Sequence, residues 1–144
     1  MFTVGVFQDL AWADRGLAAL LDDGFAPDSI SVVTKRTPEG DALIQTRFGH
    51  LHHLELKTLG LVSACGPLVG TLEGSDRGLQ TNGLAGAAGR AGFQPHDGYI
   101  YETLVGRGGV LVAVESDARA ADALAKLHAY GGGNAAIGAW AGRV

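Results

Sequence analysis

The chain has 144 residues, 47% of them hydrophobic, and a formal charge of −4 with a pI near 5.6. That length suits one domain with its own core, and the acidic balance argues against a nucleic-acid partner, which requires a clustered basic face. Cys65 is the one cysteine, so no intramolecular disulfide forms, and its apolar neighbours make it a packed thiol in a reducing compartment.

Met1 to Phe7 lacks the charged and long apolar regions of a signal peptide, which places the chain in the cytoplasm. Thr3 to Phe7 is a β-branched and aromatic run of strand length, and Asp9 stands in position to cap a helix. Leu10, Ala13, Leu17, Leu20 and Leu21 then recur at three and four residues, an apolar helical stripe that Gly24 ends. Trp12 is expected to pack in the core. Ile30 to Thr34 is a second strand, closed by the polar run Lys35 to Asp41, so residues 1–34 make one β-α-β half.

Residues 35–108 form an insertion too long to be a structureless loop in a compact domain. Leu43 to Phe48 reads as an exposed strand from its partial alternation, with Leu51, Leu54 and Leu56 continuing the apolar side. Within it, Gly49 to Glu55 is the densest set of metal-capable side chains. On a strand His50 and His52 share one face, and His53 and Glu55 the other. These four residues are candidate ligands for zinc or iron, and a complete site needs His96, Asp97 or a second subunit. They match no recognised zinc spacing, and a solvated polar loop is the leading explanation of them.

Gly60 to Leu72 is the longest apolar stretch, and it falls short of the roughly 20 residues that cross a bilayer, so no membrane span is expected. Gly66, Gly70 and Gly74 recur every four residues, and Gly83, Gly86, Gly89 and Gly92 every three. On helices such small-residue faces let backbones approach closely, which predicts a helical hairpin turning near Gly74 to Arg77 and packing on itself or on a neighbouring subunit. A third short helix is expected from Asp97 to Val105, with Asp97 as its cap rather than half of an acid-base pair with His96.

Residues 109–144 repeat the opening order. Gly109 to Val114 is a strand, Ser116-Asp117 a cap, and Ala121, Leu124 and Leu127 a helical stripe that stops at Gly131 to Gly133, with Asn134 to Trp140 as a last strand. A shift of 108 residues superposes Val4 on Val112, Val6 on Val114, Asp9 on Asp117, Ala13 on Ala121, Asp14 on Asp122 and Gly24 on Gly132. Two such halves predict an α+β domain of ferredoxin-like type, one antiparallel sheet with both helices on one face and the Gly-rich helical insertion between the halves. The other sheet face then needs a cover that a partner can supply, and the apolar run containing Ile137 and Trp140 makes an edge prone to pairing. The candidate interaction residues are therefore Gly66, Gly70, Gly74, Gly83, Gly86, Ile137 and Trp140, and the partner is a second copy or a larger complex. No Gly-x-Ser-x-Gly elbow, Cys-His pair or carboxylate cluster points to a catalytic residue.

Thr3 to Phe7, Leu20 to Phe25, Asp28 to Thr34, Gly66-Pro67-Leu68-Val69-Gly70, Tyr99 to Glu102 and Gly108 to Val114 together resemble, in that order, the bacterial general stress protein 17M family, the heat-induced stress protein domain. The resemblance implies a stress-associated, non-enzymatic bacterial protein and brings no catalytic residues. Two features depart from the family: a middle segment that is shorter and interrupted by charge, and the His-rich stretch from Gly49 to Glu55.

Overall fold

A computed structural model describes residues 1–133. Its elements in chain order are β1 (Phe2–Phe7), α1 (Leu10–Asp22), β2 (Ile30–Lys35), α2 (Pro38–Phe48), β3 (His52–Leu56), β4 (Gly60–Cys65), α3 (Pro67–Glu73), α4 (Gly78–Ala87), α5 (Pro95–Gly106), β5 (Val110–Glu115) and α6 (Ala120–Ala129). The fold is α+β. Five strands form one open sheet in the order β1-β5-β2-β4-β3, every neighbouring pair antiparallel. Since β1 and β2 both oppose β5, they run the same way with β5 inserted between them, a split β-α-β unit. The fourth strand of a ferredoxin-like arrangement, expected over Asn134 to Trp140, lies outside the described residues, as do Ile137 and Trp140 themselves.

The internal repeat has a structural counterpart. A shift of 108 residues carries Phe2–Phe7 onto Val110–Glu115, so the two matching runs are the paired strands β1 and β5. Each precedes a helix, and α1 and α6 bury Ala13, Leu17, Leu20, Ala123 and Leu127 in one core on one face of the sheet, together with Ile44 of α2. Asp9 caps α1 as expected, its side chain accepting from the Trp12 amide at 2.9 Å. At α6 the expected Ser116-Asp117 cap does not form: the N-cap residue is Arg119, with no side-chain cap, Ser116 accepts from the Arg119 amide at 3.1 Å in the turn before the helix, and Asp117 pairs with the N-terminal amine at 3.5 Å.

The opposite face is not left for a partner. Leu68, Val69 and Leu72 of α3, Leu79, Leu84 and Ala87 of α4, and Tyr101, Leu104 and Val105 of α5 pack there on Val4, Val6, Val33, Val62, Leu111 and Ala113. The expectation of helices on one face only is therefore corrected: the insertion supplies a second helical layer. Consistent with that, β2 and β5 are buried at every position except their last residues, Lys35 and Glu115. A strand enclosed on both sides reads as a continuous apolar run.

A second correction concerns Leu43 to Phe48, which belong to helix α2 rather than to a strand. The helix signals outweigh a short alternation. Thr37 accepts from the Gly40 amide at 2.9 Å, Pro38 occupies the first turn with Glu39 and Asp41, Arg47 lies in the last turn, and Gly49 closes the helix at φ 75°. Helix α5 likewise starts earlier than expected, at Pro95, so Asp97 lies in its first turn instead of capping it. Trp12 is not a core residue: it stands 43% exposed with the Arg15 guanidinium 4.7 Å from its ring.

The helical hairpin turns where expected, between α3 and α4, yet its glycines do not form one helix-helix face. Gly66 lies at φ 99° between β4 and α3, where a Cβ would collide with the backbone of Ile30 and Ser31. Gly74 (φ 58°) and Gly78 make room for Arg90, whose guanidinium crosses the turn, binds both carboxylate oxygens of Asp76 at 2.6 Å and caps the Glu73 carbonyl at 3.2 Å. Gly83, at φ 77°, breaks α4 beside the Glu102 carboxylate, whose Oε2 accepts from the Ala85 amide at 3.0 Å. Gly86 is exposed, and a Cβ on exposed Gly70 would meet nothing within 4 Å.

Gly66 and Gly70 should consequently respond in opposite directions to the same substitution. Gly66→Ala is expected to lower stability by about 2 kcal/mol or more, combining a positive φ with a backbone collision. Gly70→Ala should instead be neutral or raise it by up to about 1 kcal/mol through helix propensity. Urea unfolding midpoints check both; equal losses at the two positions would show that the glycines act as a single packed face.

Candidate functional site

The sheet has two edges, and they differ. Beyond β1, Val6 exchanges backbone hydrogen bonds with Gly133, its amide donating at 2.7 Å and its carbonyl accepting at 3.1 Å. Among the described residues no strand pairs with the outer side of β3. The His-rich stretch thus becomes an edge strand, held from within by a continuous register with β4 from His52↔Ala64 to Leu56↔Gly60. Gly60 lies at φ 73° and closes the intervening turn.

Alternation along β3 divides its side chains as the sequence requires. Leu54 and Leu56 belong to the core under α3–α5, and His52 lines a groove on that side. This groove, of about 360 Å³, runs between β3 and α3 and is lined by His52, Leu54, Gly66, Gly70, Glu73 and Gly74. His50 precedes the strand, its ring 6.4 Å from that of His52. His53 and Glu55 fall on the other face, where α2 lies.

There His53 meets a residue that the sequence reading did not single out. Its Nε2 lies 3.0 Å from Oδ1 of Asp41 on α2, and the same oxygen accepts from the buried Ser63 hydroxyl on β4, while Arg36 Nε donates to Oδ2 at 3.2 Å. The hydrogen bond from Ser63 is the largest influence holding the Asp41 carboxyl below its ordinary value; burial opposes it, and the hydrogen bond and charge of His53 and the charge of Arg36 add to it. Ser63 bonds Asp41 rather than His53, so the three residues do not form a nucleophile-base relay. They brace α2 against β3 and β4.

Among the described residues no three His, Cys, Asp or Glu side chains gather to hold a metal. His50 and His52 stay together, His53 turns to Asp41, and His96 lies in a separate groove on α5 with Tyr99, Ile100 and Arg107. Cys65 is fully buried and its thiol is pushed up to about 11 by desolvation, which leaves it without thiolate character at neutral pH. Among the described residues no helix is long and apolar enough to cross a membrane.

Asp41 makes a prediction about acid stability. A carboxyl whose folded value is depressed contributes stability that is present above the unfolded value, near 3.8, and is lost as pH falls through the folded value. Asp41→Asn is expected to cost about 1 kcal/mol at pH 7 and to flatten the decline below about pH 4. Denaturant unfolding across pH 2–7 checks this; parallel acid limbs for the two proteins would refute the brace. No family model, no curated protein and no solved structure matches the chain.

Proposed function

We propose that this chain is a non-enzymatic assembly module of the bacterial cytoplasm that works by self-association, its contact surface being the open edge of the sheet at β3. The observation that carries the reading is the contrast between the edges among the described residues: β1 is met by Gly133, whereas β3 is unbroken in register and exposed at His52, His53 and Glu55. A row of unpaired amides and carbonyls on such an edge is a template for another strand. The covered sheet faces direct association to the edge instead of to a face. The stress association rests on the sequence resemblance alone. A larger complex as the partner would use the same edge.

A second reading has one observation in its favour, the proximity of the His50 and His52 rings beside a groove that also holds Glu73. In that reading the stretch binds zinc or iron with ligands shared between chains.

Light scattering and elemental analysis on one preparation, before and after EDTA, separate the two. The assembly reading expects a metal-free oligomer whose mass EDTA leaves unchanged. Stoichiometric metal, lost in His50→Ala and His52→Ala together with the higher mass, would establish the second reading. A metal-free monomer at about 100 μM would refute both, since an edge contact weaker than that is below the ordinary range for an obligate assembly.

A further inference from the structure

We propose that the strand added to the β3 edge is β3 of a second copy, paired antiparallel about a two-fold axis at Leu54, so that His53 of each chain lies opposite the partner's Glu55. This inference rests on the self-association reading and names its partner and register.

Within His52–Leu56 there is no proline, lysine or bulge of the kind that natural edges use to repel a new strand. The register is then decided by faces and charges. A two-fold axis perpendicular to the sheet keeps the α2 side of one copy on the α2 side of the other, and it pairs only residues that share a face. The axis must therefore pass through a residue, not between two.

Three centres are available. Centred on His53, the contact sets His53 against itself and brings Leu51 opposite the partner's Glu55, uniting like residues and leaving Leu56 unmatched. Centred on Glu55, it opposes two carboxylates and puts His53 across from the partner's Lys57. Like charges directly opposite are destabilising.

Centred on Leu54, all five residues of β3 find a cross-strand partner. His53 faces the partner's Glu55 twice by symmetry, Leu54 meets the partner's Leu54 on the apolar side, and His52 lies across from the partner's Leu56. His53 already gives Nε2 to Asp41, and a charged imidazole has a second N–H for the opposing carboxylate. Complementary charge and full pairing thus select the same register.

The pairing has a covalent signature, because residues whose numbers sum to 108 become neighbours with Cα atoms about 4.5–5.5 Å apart. Under mild oxidation Leu54→Cys should give a disulfide-linked dimer by itself. His53→Cys and Glu55→Cys, both at exposed positions, should link far more efficiently when mixed than either does alone. Cys65 does not compete, being fully buried. Glu55→Lys should weaken dimerisation in sedimentation equilibrium by about tenfold or more, with the far-UV circular dichroism of the monomer unchanged.

The outcomes separate the register from the reading beneath it. A native protein that dimerises, with no mixed cross-link between positions 53 and 55 and an unaltered Kd in Glu55→Lys, would overturn the register and leave self-association standing. A native protein that stays monomeric would overturn both, and the edge would then belong to a strand of another protein.

Discussion

The rest of the molecule depends on the double-sided burial of β2 and β5. Val33, Leu111 and Ala113 face one core while Ile30, Val32, Val110, Val112 and Val114 face the other, so the two strands are shared by both hydrophobic layers. Neither layer can be loosened alone. Polar side chains on these central strands are admitted only with a partner: Ser31 Oγ accepts from the Leu68 amide at 2.9 Å, and Thr34 Oγ1 donates to the Gly109 carbonyl at 3.3 Å. The insertion from Lys35 to Gly108 is accordingly part of the core and not an appendage, since it supplies α2 to one layer and α3–α5 to the other.

Much of this scaffold was legible in the residues. β1, α1, β2, the hairpin turn, β5 and α6 follow from apolar periodicity and from Asp and Gly at element ends, and the 108-residue repeat marks two strands that pair. Two things were misread for identifiable reasons. Leu43 to Phe48 alternate over too few residues to decide between strand and helix, and the decisive signals lay upstream at Thr37 and Pro38 and downstream at Gly49. The two helical layers were written in the unbroken apolar run of β5, which a sheet with one wet face would not need.

The candidate site was legible only in part. Strand alternation placed His52 and His53 on opposite faces, as the structure has them. Asp41, Ser63 and Arg36 are far from His53 in sequence, and no local pattern marks them; only packing α2 on β4 brings their side chains together. The glycines show the opposite failure. Their spacing suggested one shared face, whereas the structure uses Gly66 for a close approach to the backbone of β2 at a positive φ, Gly74 and Gly78 for the passage of Arg90, and Gly83 for a break in α4. Equal spacing hid unlike tasks.

The strand order also bears on how the chain is made. β5 separates β1 from β2, yet it is the last described strand to leave the ribosome, at Val110–Glu115. Until then β1 has no partner among the described strands, and β2 can pair only with β4. The three-stranded piece β2-β4-β3 can therefore form first, with the site of β5 standing open as an apolar slot beside Val32 and Val33. A nascent chain of this protein passes through a stage in which the β2 edge stands open as well as the β3 edge, and unpaired strand edges of that kind are where incompletely folded chains associate.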